Sequence, residues 1–319
     1  MYCKNNLHKA CYFLFFWTAA VLAGPTLDSA NALYTRGKLH GSIKLYKKAL
    51  TEGENPALCY FNAANAYFQL DSLSRALMFY RQCIHEAPDF VKARLNSAII
   101  YYMLGDLGRC IAASKQTLRL DPENKKLRLV LAAALAKSGA IPEAAAEYEN
   151  IAKKYPEMTE TYLALGEIYR NLNDYETSIQ WLNEYPHTGQ NYPYVLLLIA
   201  DMYDKLGDLP RVLFYLQESY DIDKKNKNTF YRMVQTQKRM GNDLVALETA
   251  LEGMTRFPDF ARLAIEAGNI AFNRGLLEKA EFCYSKAYAL GSPGAVVGLE
   301  NVKIVRAQKA LGITGDGGE

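Results

Sequence analysis

Histidines are the first side chains in this sequence to consider for catalysis or metal binding. His40, His85 and His187 follow the N-terminal apolar segment, and none of them has a nucleophile or metal ligand at an informative spacing. The sequence contains no glycine-rich phosphate loop, no serine nucleophile elbow and no HExxH motif. Carboxylates are spread over predicted helix surfaces, where solvation explains them. We therefore expect no catalytic residue, no metal and no cofactor, and we predict that the protein is not an enzyme.

Cysteines are the second candidate set. Two of the six lie in the N-terminal segment described below, and the others are Cys59, Cys83, Cys110 and Cys283. Their irregular spacing matches no zinc-binding pattern. Export would permit disulfides, but the spacing leaves open whether any pair lies close enough to bond.

The N-terminus has the three-part layout of a secretory signal peptide. Residues 1–9 are polar and include Lys4 and Lys9, and residues 10–23 are almost wholly apolar. This apolar run is shorter than the roughly 20 residues that a helix needs to cross a bilayer. We predict cleavage after Ala23 and export to a periplasm or the cell exterior, with no transmembrane helix in the mature protein. The alternative is a membrane anchor formed by an uncleaved segment.

The charge balance sets aside one class of function. The 319 residues include 37 Lys and Arg and 34 Asp and Glu, which gives a formal charge of +3. Without Lys4 and Lys9, 35 basic residues remain against 34 acidic ones. Nucleic-acid-binding proteins usually have a strong basic excess. We therefore expect no nucleic-acid partner.

A period of 34 residues organises the rest of the chain. Three series follow it: prolines at 88, 122, 156 and 258, glycines at 105, 139, 207, 241 and 275, and mostly small residues at 64, 98, 132, 166, 200, 234 and 268. Within each unit the apolar spacing is helical, with one break, which predicts two helices per unit. Small residues let the helices approach, the glycine permits the turn, and the proline ends the second helix.

Several segments resemble tetratricopeptide repeats, namely Ala-Asn-Ala-Tyr-Phe-Gln-Leu (64–70), Tyr-Tyr-Met-Leu-Gly-Asp-Leu (101–107), Leu-Gly-Glu-Ile-Tyr (165–169) and Glu-Lys-Ala-Glu-Phe-Cys-Tyr (278–284). The resemblance covers nearly all of the chain after the N-terminal segment. It implies an all-α, right-handed solenoid of about eight helical hairpins with a C-terminal capping helix. The predicted array covers residues 24–294, with units starting near 23, 57, 91, 125, 159, 193, 227 and 261.

The ends of the array and two of its units depart from the pattern. Residues 295–311 are predicted to form the capping helix, with Val296, Leu299, Ile304 and Val305 on its apolar side and a solvated outer face. Residues 312–319 are expected to be a flexible tail. The first unit is degenerate, and residues 184–193 replace the last turn of the second helix in the fifth unit, as a bend or a binding loop.

The repeat also explains two of the cysteines. Cys83 and Cys110 stand at places in the unit that normally take small residues. We therefore predict that both are buried and unpaired.

In the family that this chain resembles, the first helix of each unit lines an inner groove. The residues at the inward places predict a peptide-binding groove formed by Asn62, Asn65, Asn96, Tyr102 and Lys126. Asparagine amides can pair with the backbone of an extended peptide, and a lysine can bind a carboxylate. The alternative is that these are ordinary exposed polar residues of helices.

The groove resembles only in part the tetratricopeptide clamps that hold C-terminal carboxylates. Asn65, Asn96 and Lys126 match three of the five places in that clamp, whereas Phe61 and Val130 replace basic residues. A true carboxylate clamp is therefore not expected.

Toward the C-terminus the inward places become basic. Arg232, Arg239, Arg262 and Arg274 form a predicted secondary basic surface, which Glu266 interrupts. Two interpretations are open: a docking surface for an acidic partner, and a solvated face of ion pairs.

The resemblance implies a non-catalytic scaffold or adaptor that binds a partner protein or an extended peptide. Together with the predicted export, it suggests a role in envelope assembly or secretion. The alternative is a structural subunit, or a substrate-presenting arm, of a cell-envelope enzyme complex.

Overall fold

The computed structural model describes residues 24–311, so the predicted signal segment 1–23 and the predicted tail 312–319 lie outside the described residues. The chain divides into two compact units, Met1–Ile168 and Tyr169–Glu319. Seventeen α-helices lie in the described range. None of these helices is long and apolar enough to cross a membrane.

The first unit consists of four successive hairpins, each pairing a first helix with a second. Its helices are α1 (Pro25–Thr35), α2 (Leu39–Thr51), α3 (Pro56–Gln69), α4 (Leu73–Glu86), α5 (Val91–Leu104), α6 (Leu107–Leu118), α7 (Lys125–Ser138) and α8 (Ile141–Lys154). Helix α9 (Glu160–Asn171) contains the boundary between the units.

The second unit begins with α10 (Tyr175–Asn183) and continues with three hairpins and a final helix. These are α11 (Tyr192–Lys205), α12 (Leu209–Ile222), α13 (Lys227–Arg239), α14 (Asp243–Arg256), α15 (Ala261–Asn273), α16 (Leu277–Ala289) and α17 (Gly294–Ala310). In each of the eight predicted repeats, the first helix starts within two residues of the start expected from the 34-residue period.

The turns inside the hairpins need a left-handed backbone conformation, which explains the glycine series. Gly105, for example, has φ 77°, a value that side chains with a Cβ adopt at a cost. Asp71 and Asn173 take the equivalent place in two units, with φ 53° and 61°. Asparagine and aspartate are the usual substitutes for glycine in this conformation. Helix starts are capped as well, since the Asn124 side chain accepts a hydrogen bond from the backbone of α7.

The core of each hairpin depends on small residues where two helices meet. Ala64, Ala98 and Ala132 are fully buried in the first unit. In the last repeat, which starts at Ala261, the same place is taken by Gly268, and a Cβ there would lie 2.6 Å from the ring of Tyr284. The small residue thus allows an aromatic side chain to fill the space between the helices.

The four cysteines of the described residues are buried and unpaired, which confirms the prediction for Cys83 and Cys110. Burial raises the pKa of Cys83 to about 12 and that of Cys110 to about 11. The buried thiols are therefore protonated at neutral pH and pack as small apolar groups.

The fifth unit departs from the pattern where the sequence indicated. Helix α10 has nine residues, whereas α12 and α14 have fourteen each. In the segment that follows, Tyr185 is buried and the His187 ring stacks on Tyr192 with ring centres 4.7 Å apart. The lost turn is thus replaced by a segment with aromatic packing of its own.

The apolar side of the last helix is the expected one only in part, because Leu299 and Val305 pack on the core whereas Val296 and Ile304 do not. Helix α17 packs through Ala295, Gly298 and Val302, which are buried, whereas Val296 and Ile304 are exposed. The prediction is thus wrong for Val296 and Ile304. The small residues Ala295 and Gly298 take their side instead, and Gly298, where a Cβ would lie 2.5 Å from the Tyr284 ring, lets α17 approach that ring closely.

Candidate functional site

Two residues of the predicted peptide groove, Asn65 and Asn96, are buried and hydrogen-bonded within the protein. The Asn65 Oδ1 atom accepts hydrogen bonds from the Tyr80 hydroxyl at 2.5 Å and from Asn96 Nδ2 at 3.3 Å. Asn96 Nδ2 also donates to the Tyr80 oxygen at 3.0 Å. This corrects the expectation of amides exposed to a peptide, because a buried amide is used by its internal partners.

Asn62 takes part in an equivalent set of contacts one hairpin earlier. Its Nδ2 atom donates to Asn31 Oδ1 at 3.0 Å, and the Tyr46 hydroxyl donates to the same oxygen at 2.9 Å. Asn62 remains half-buried, so part of its amide still reaches the surface. These asparagines link each first helix to the next, from α1 to α3 and from α3 to α5.

The other two residues of the predicted groove lie on neighbouring first helices. Tyr102 on α5 is half-buried, and the Lys137 Nζ atom of α7 lies 4.8 Å from the centre of its ring. Lys126 is the second residue of α7 and is exposed. Partial desolvation lowers the pKa of Lys126, and the neighbouring charge of Lys125 lowers it further. This cation thus lies in an already positive environment.

The surface of α3, α5 and α7, which we call the first-helix face, is positively charged. The three helices contain no aspartate or glutamate, and their charged residues are Lys92, Arg94, Lys125, Lys126, Arg128 and Lys137. Lys125 and Arg128 have carboxylate partners outside these helices, Glu157 at 2.6 Å and Glu147 at 3.3 Å. The remaining lysines stand near the ends of their helices, Lys92 and Lys126 at the second residue and Lys137 at the next-to-last residue.

Apolar side chains fill the middle of the first-helix face. Leu95, Ile99 and Tyr102 of α5 are half-buried and pack on the core of the third and fourth hairpins. Phe68 of α3 packs on the core of the first two hairpins. The prediction omitted Leu95, Ile99 and Lys137, although the 34-residue period assigns all three to first helices. An apolar strip with lysines at its edges can take up apolar side chains next to carboxylates.

The predicted secondary basic surface of the second unit is largely neutralised. Arg232 forms an ion pair with Asp201, and Arg239 lies 2.5 Å from Asp204. Glu266 is buried and accepts a hydrogen bond from Lys238 at 2.9 Å. These contacts favour the interpretation as a face of ion pairs.

The two other arginines of that surface, Arg262 and Arg274, differ in their charged neighbours. Arg274 lies 4.0 Å from Asp243, whereas Arg262 is exposed and has no ion pair within residues 24–311. In the same range, no group of three or more His, Cys, Asp and Glu side chains is arranged to hold a metal ion.

Comparison with known proteins shows which family models match this chain. Models of the tetratricopeptide repeat family match residues 57–90, 95–156 and 135–202. No curated protein sequence matches this chain.

Two solved structures are similar to the chain in fold. One is the C-terminal part of a TPR repeat-containing protein from Cytophaga hutchinsonii, with 13% identity and a TM-score of 0.54, covering 86% of this chain and 99% of the other. The second is MamA from residue 41 to its end, from Desulfovibrio magneticus RS-1, with 16% identity and a TM-score of 0.50, covering 54% of this chain and 97% of the other.

The helical hairpins, their 34-residue period and the matching family models agree with one another. The prediction of an all-α solenoid of tetratricopeptide repeats is confirmed. Proteins of this kind generally act as non-catalytic scaffolds for other proteins. The chain belongs to the tetratricopeptide repeat family.

Proposed function

We propose that this protein is a non-catalytic scaffold that binds an acidic, partly apolar segment of a partner protein on the first-helix face. The observation that carries the proposal is the absence of any carboxylate from α3, α5 and α7, together with Lys92, Arg94, Lys126 and Lys137, which add to the ion-paired Lys125 and Arg128. A partner with carboxylates meets no like charge on these helices. Opposite charges speed the encounter of the two proteins and help to select the partner.

The apolar strip supplies the second part of the recognition. Leu95, Ile99 and Tyr102 keep part of their surface in water, so a partner's apolar side chains gain by covering them. Lys92 lies on α5 with these three residues, and Lys137 of α7 holds its charge 4.8 Å from the centre of the Tyr102 ring. The asparagine contacts beneath this face keep α3 and α5 in register and so keep the face in one shape.

The cellular setting in this proposal is the cell envelope. The predicted signal segment 1–23 supports export, and an exported scaffold suits envelope assembly or secretion. N-terminal sequencing of the mature protein from its native host tests this part. A protein that keeps Met1 and remains in the cytoplasm would contradict it.

A pair of synthetic peptides tests the binding face. Both contain equal numbers of leucines, but one is rich in glutamate and the other in lysine. Fluorescence anisotropy with the full chain is expected to show binding of the glutamate peptide and none of the lysine peptide. Because the attraction is electrostatic in part, the affinity is expected to fall as salt is added.

Charge-reversal variants locate the binding. The triple variant Lys92→Glu/Lys126→Glu/Lys137→Glu is expected to weaken glutamate-peptide binding by about 10- to 100-fold. The matched control, Lys44→Glu/Lys115→Glu/Lys153→Glu, makes the same charge change on second helices and is expected to bind almost as the wild type does. Equal losses in both variants would show that net charge, not the first-helix face, determines binding.

A further inference from the structure

A cavity of about 480 Å³ lies in the second unit between α14, α15 and α16. Its wall is mostly apolar and includes Met254, Phe257, Phe260 and Phe282. Of the eleven described residues that line the cavity, Lys286 alone is charged. A concave apolar site of this size, with a few polar groups, is typical of the sites that bind small ligands.

The cavity exists because α15 has a small residue where earlier repeats have a large one. Ala264 lines the cavity and is the fourth residue of the last repeat. From the second repeat to the seventh, the same place holds a large side chain, namely Tyr60, Arg94, Arg128, Tyr162, Leu196 and Phe230. The last repeat thus lacks the side chain that would fill this space.

Phe230 shows what fills the same space one repeat earlier. Its buried ring packs against Tyr220 of the preceding second helix and against Phe257, with ring centres 5.0 Å and 5.7 Å apart. In the last repeat, Met254 stands 34 residues after Tyr220 and packs against the small cluster that contains Ala264. The neighbours of the place are therefore equivalent, and what is missing is a group the size of an aromatic ring.

Lys286 gives the cavity a charge that the equivalent place of earlier repeats lacks. From the second repeat to the seventh, this place is neutral or acidic, with Gln82, Gln116, Asn150, Glu184, Glu218 and Glu252. The Lys286 Nζ atom lies 5.8 Å from the centre of the Phe282 ring. The two carboxylates of α16, Glu278 and Glu281, pair with Arg306, and Lys286 has no ion pair within residues 24–311. Its ammonium group is thus available to an anion.

We propose that this cavity binds a small aromatic carboxylic acid. The ring fills the space beside Ala264, where it contacts phenylalanine rings and the Met254 thioether. The carboxylate binds the Lys286 ammonium group. An apolar cavity of about 150 Å³ is enough to bind benzene, so this cavity has room for a ring and a short chain. The site uses no residue of the first-helix face, so the two proposals are tested separately.

Isothermal titration calorimetry of the full chain with 3-phenylpropionate tests the proposal. The acid is expected to bind saturably, with one molecule per chain. 3-Phenylpropylamine has the same ring and a chain of similar length but is positively charged at neutral pH, so it is expected to bind at least about 10-fold more weakly. An amine that binds as tightly as the acid would contradict the pairing of the carboxylate with Lys286.

Two variants locate the bound acid. Ala264→Leu fills the cavity with the side chain that Leu196 has at this place, and it is expected to weaken binding of 3-phenylpropionate by at least about 10-fold. Lys286→Gln removes the charge and is expected to weaken binding by about 10-fold. The matched control is Lys279→Gln, which is expected to bind as the wild type does, because Lys279 is an exposed lysine of the same helix that does not line the cavity.

Circular dichroism checks that each variant is folded. Ala264 is buried whereas Lys286 is exposed, so Lys286→Gln tests the site whatever effect Ala264→Leu has on folding. A wild type that binds no 3-phenylpropionate would overturn the proposal. So would a folded Ala264→Leu variant that binds the acid as the wild type does, or equal losses in Lys286→Gln and Lys279→Gln.

Discussion

Replacing Asn65 by alanine tests the buried hydrogen-bond set between α3, α4 and α5. In the wild type, Asn65 Oδ1 accepts from the Tyr80 hydroxyl and from Asn96 Nδ2. In Asn65→Ala, Asn96 Nδ2 keeps the Tyr80 oxygen as an acceptor. The Tyr80 hydroxyl, however, loses its acceptor in a fully buried position.

The cost of this change follows from the one donor that is left without a partner. A buried, unsatisfied hydroxyl costs about 1–3 kcal/mol, and the small void left by the amide adds to it. We expect the free energy of unfolding of the first unit to fall by about 2–3 kcal/mol. Asn62→Ala is the matched control with an expected loss under about 1 kcal/mol, because Asn31 Oδ1 keeps its hydrogen bond from Tyr46.

Urea denaturation followed by far-UV circular dichroism measures these losses. A second background separates the hydrogen bonds from other effects, because Tyr80→Phe/Asn96→Ala removes both donors that bond to Asn65 Oδ1. In the Tyr80→Phe/Asn96→Ala background, Asn65→Ala leaves no buried donor without a partner and is expected to cost under about 1 kcal/mol. The reasoning is refuted if Asn65→Ala costs the same in both backgrounds, or no more than Asn62→Ala.

Three further predictions concern packing, thiol ionisation and surface charge. Gly298→Ala places a Cβ 2.5 Å from the ring of Tyr284 and is expected to lower the free energy of unfolding by about 1–3 kcal/mol. In the control variant Gly108→Ala the Cβ meets open space, so the variant is expected to be as stable as the wild type or more stable. Thermal denaturation of both variants measures the difference. Burial raises the pKa of Cys83 to about 12, so its stabilising effect is complete below the unfolded thiol pKa of about 8.5 and is lost as pH rises through the folded value. The Cys83→Ala variant is therefore expected to lose less stability than the wild type between pH 8 and 11 in urea titrations at stepped pH (about one unit apart). Arg232→Ala removes an exposed ion pair and is expected to change the free energy of unfolding by under about 1 kcal/mol, with the difference vanishing at high salt.

The sequence predicted the hairpins well because their geometry depends on residue size at fixed places. A turn that needs positive φ selects glycine, and close helix packing selects alanine or glycine, so both requirements recur every 34 residues. Helices α5, α7, α13 and α15 begin at the expected residues for this reason. Residues 1–23 and 312–319 lie outside the described range, so cleavage after Ala23 stays a prediction.

The candidate site was harder to predict, because a place in the repeat does not specify the partner of its side chain. Asn65 stands at a place that usually faces a ligand, yet Tyr80, fifteen residues later, turns it into a buried acceptor. The signal for this contact is present in the sequence, since asparagine and tyrosine recur at the same spacing at Asn31 and Tyr46 and at Asn269 and Tyr284. The pairing needs both residues together, so inspection of single places misses it.

The lysines of the first-helix face illustrate a second limit. The net charge of the chain is close to zero after the N-terminal segment, which hides a helix layer without carboxylates. Only when second helices are separated from first helices does the basic layer appear. In the second unit the same layer contains Asp201 and Asp204, which neutralise the arginines.

The asparagine–tyrosine contacts also bear on how such a chain avoids assembling wrongly. Similar hairpins offer similar apolar surfaces, so a hairpin that skips its neighbour during folding can still bury its core residues. Asn96 reaches Asn65 and Tyr80 only when the second and third hairpins are adjacent. If the fourth hairpin took the place of the third, Val130 would stand where Asn96 stands and Asn96 would lose both acceptors, so these contacts favour the correct order of the two hairpins.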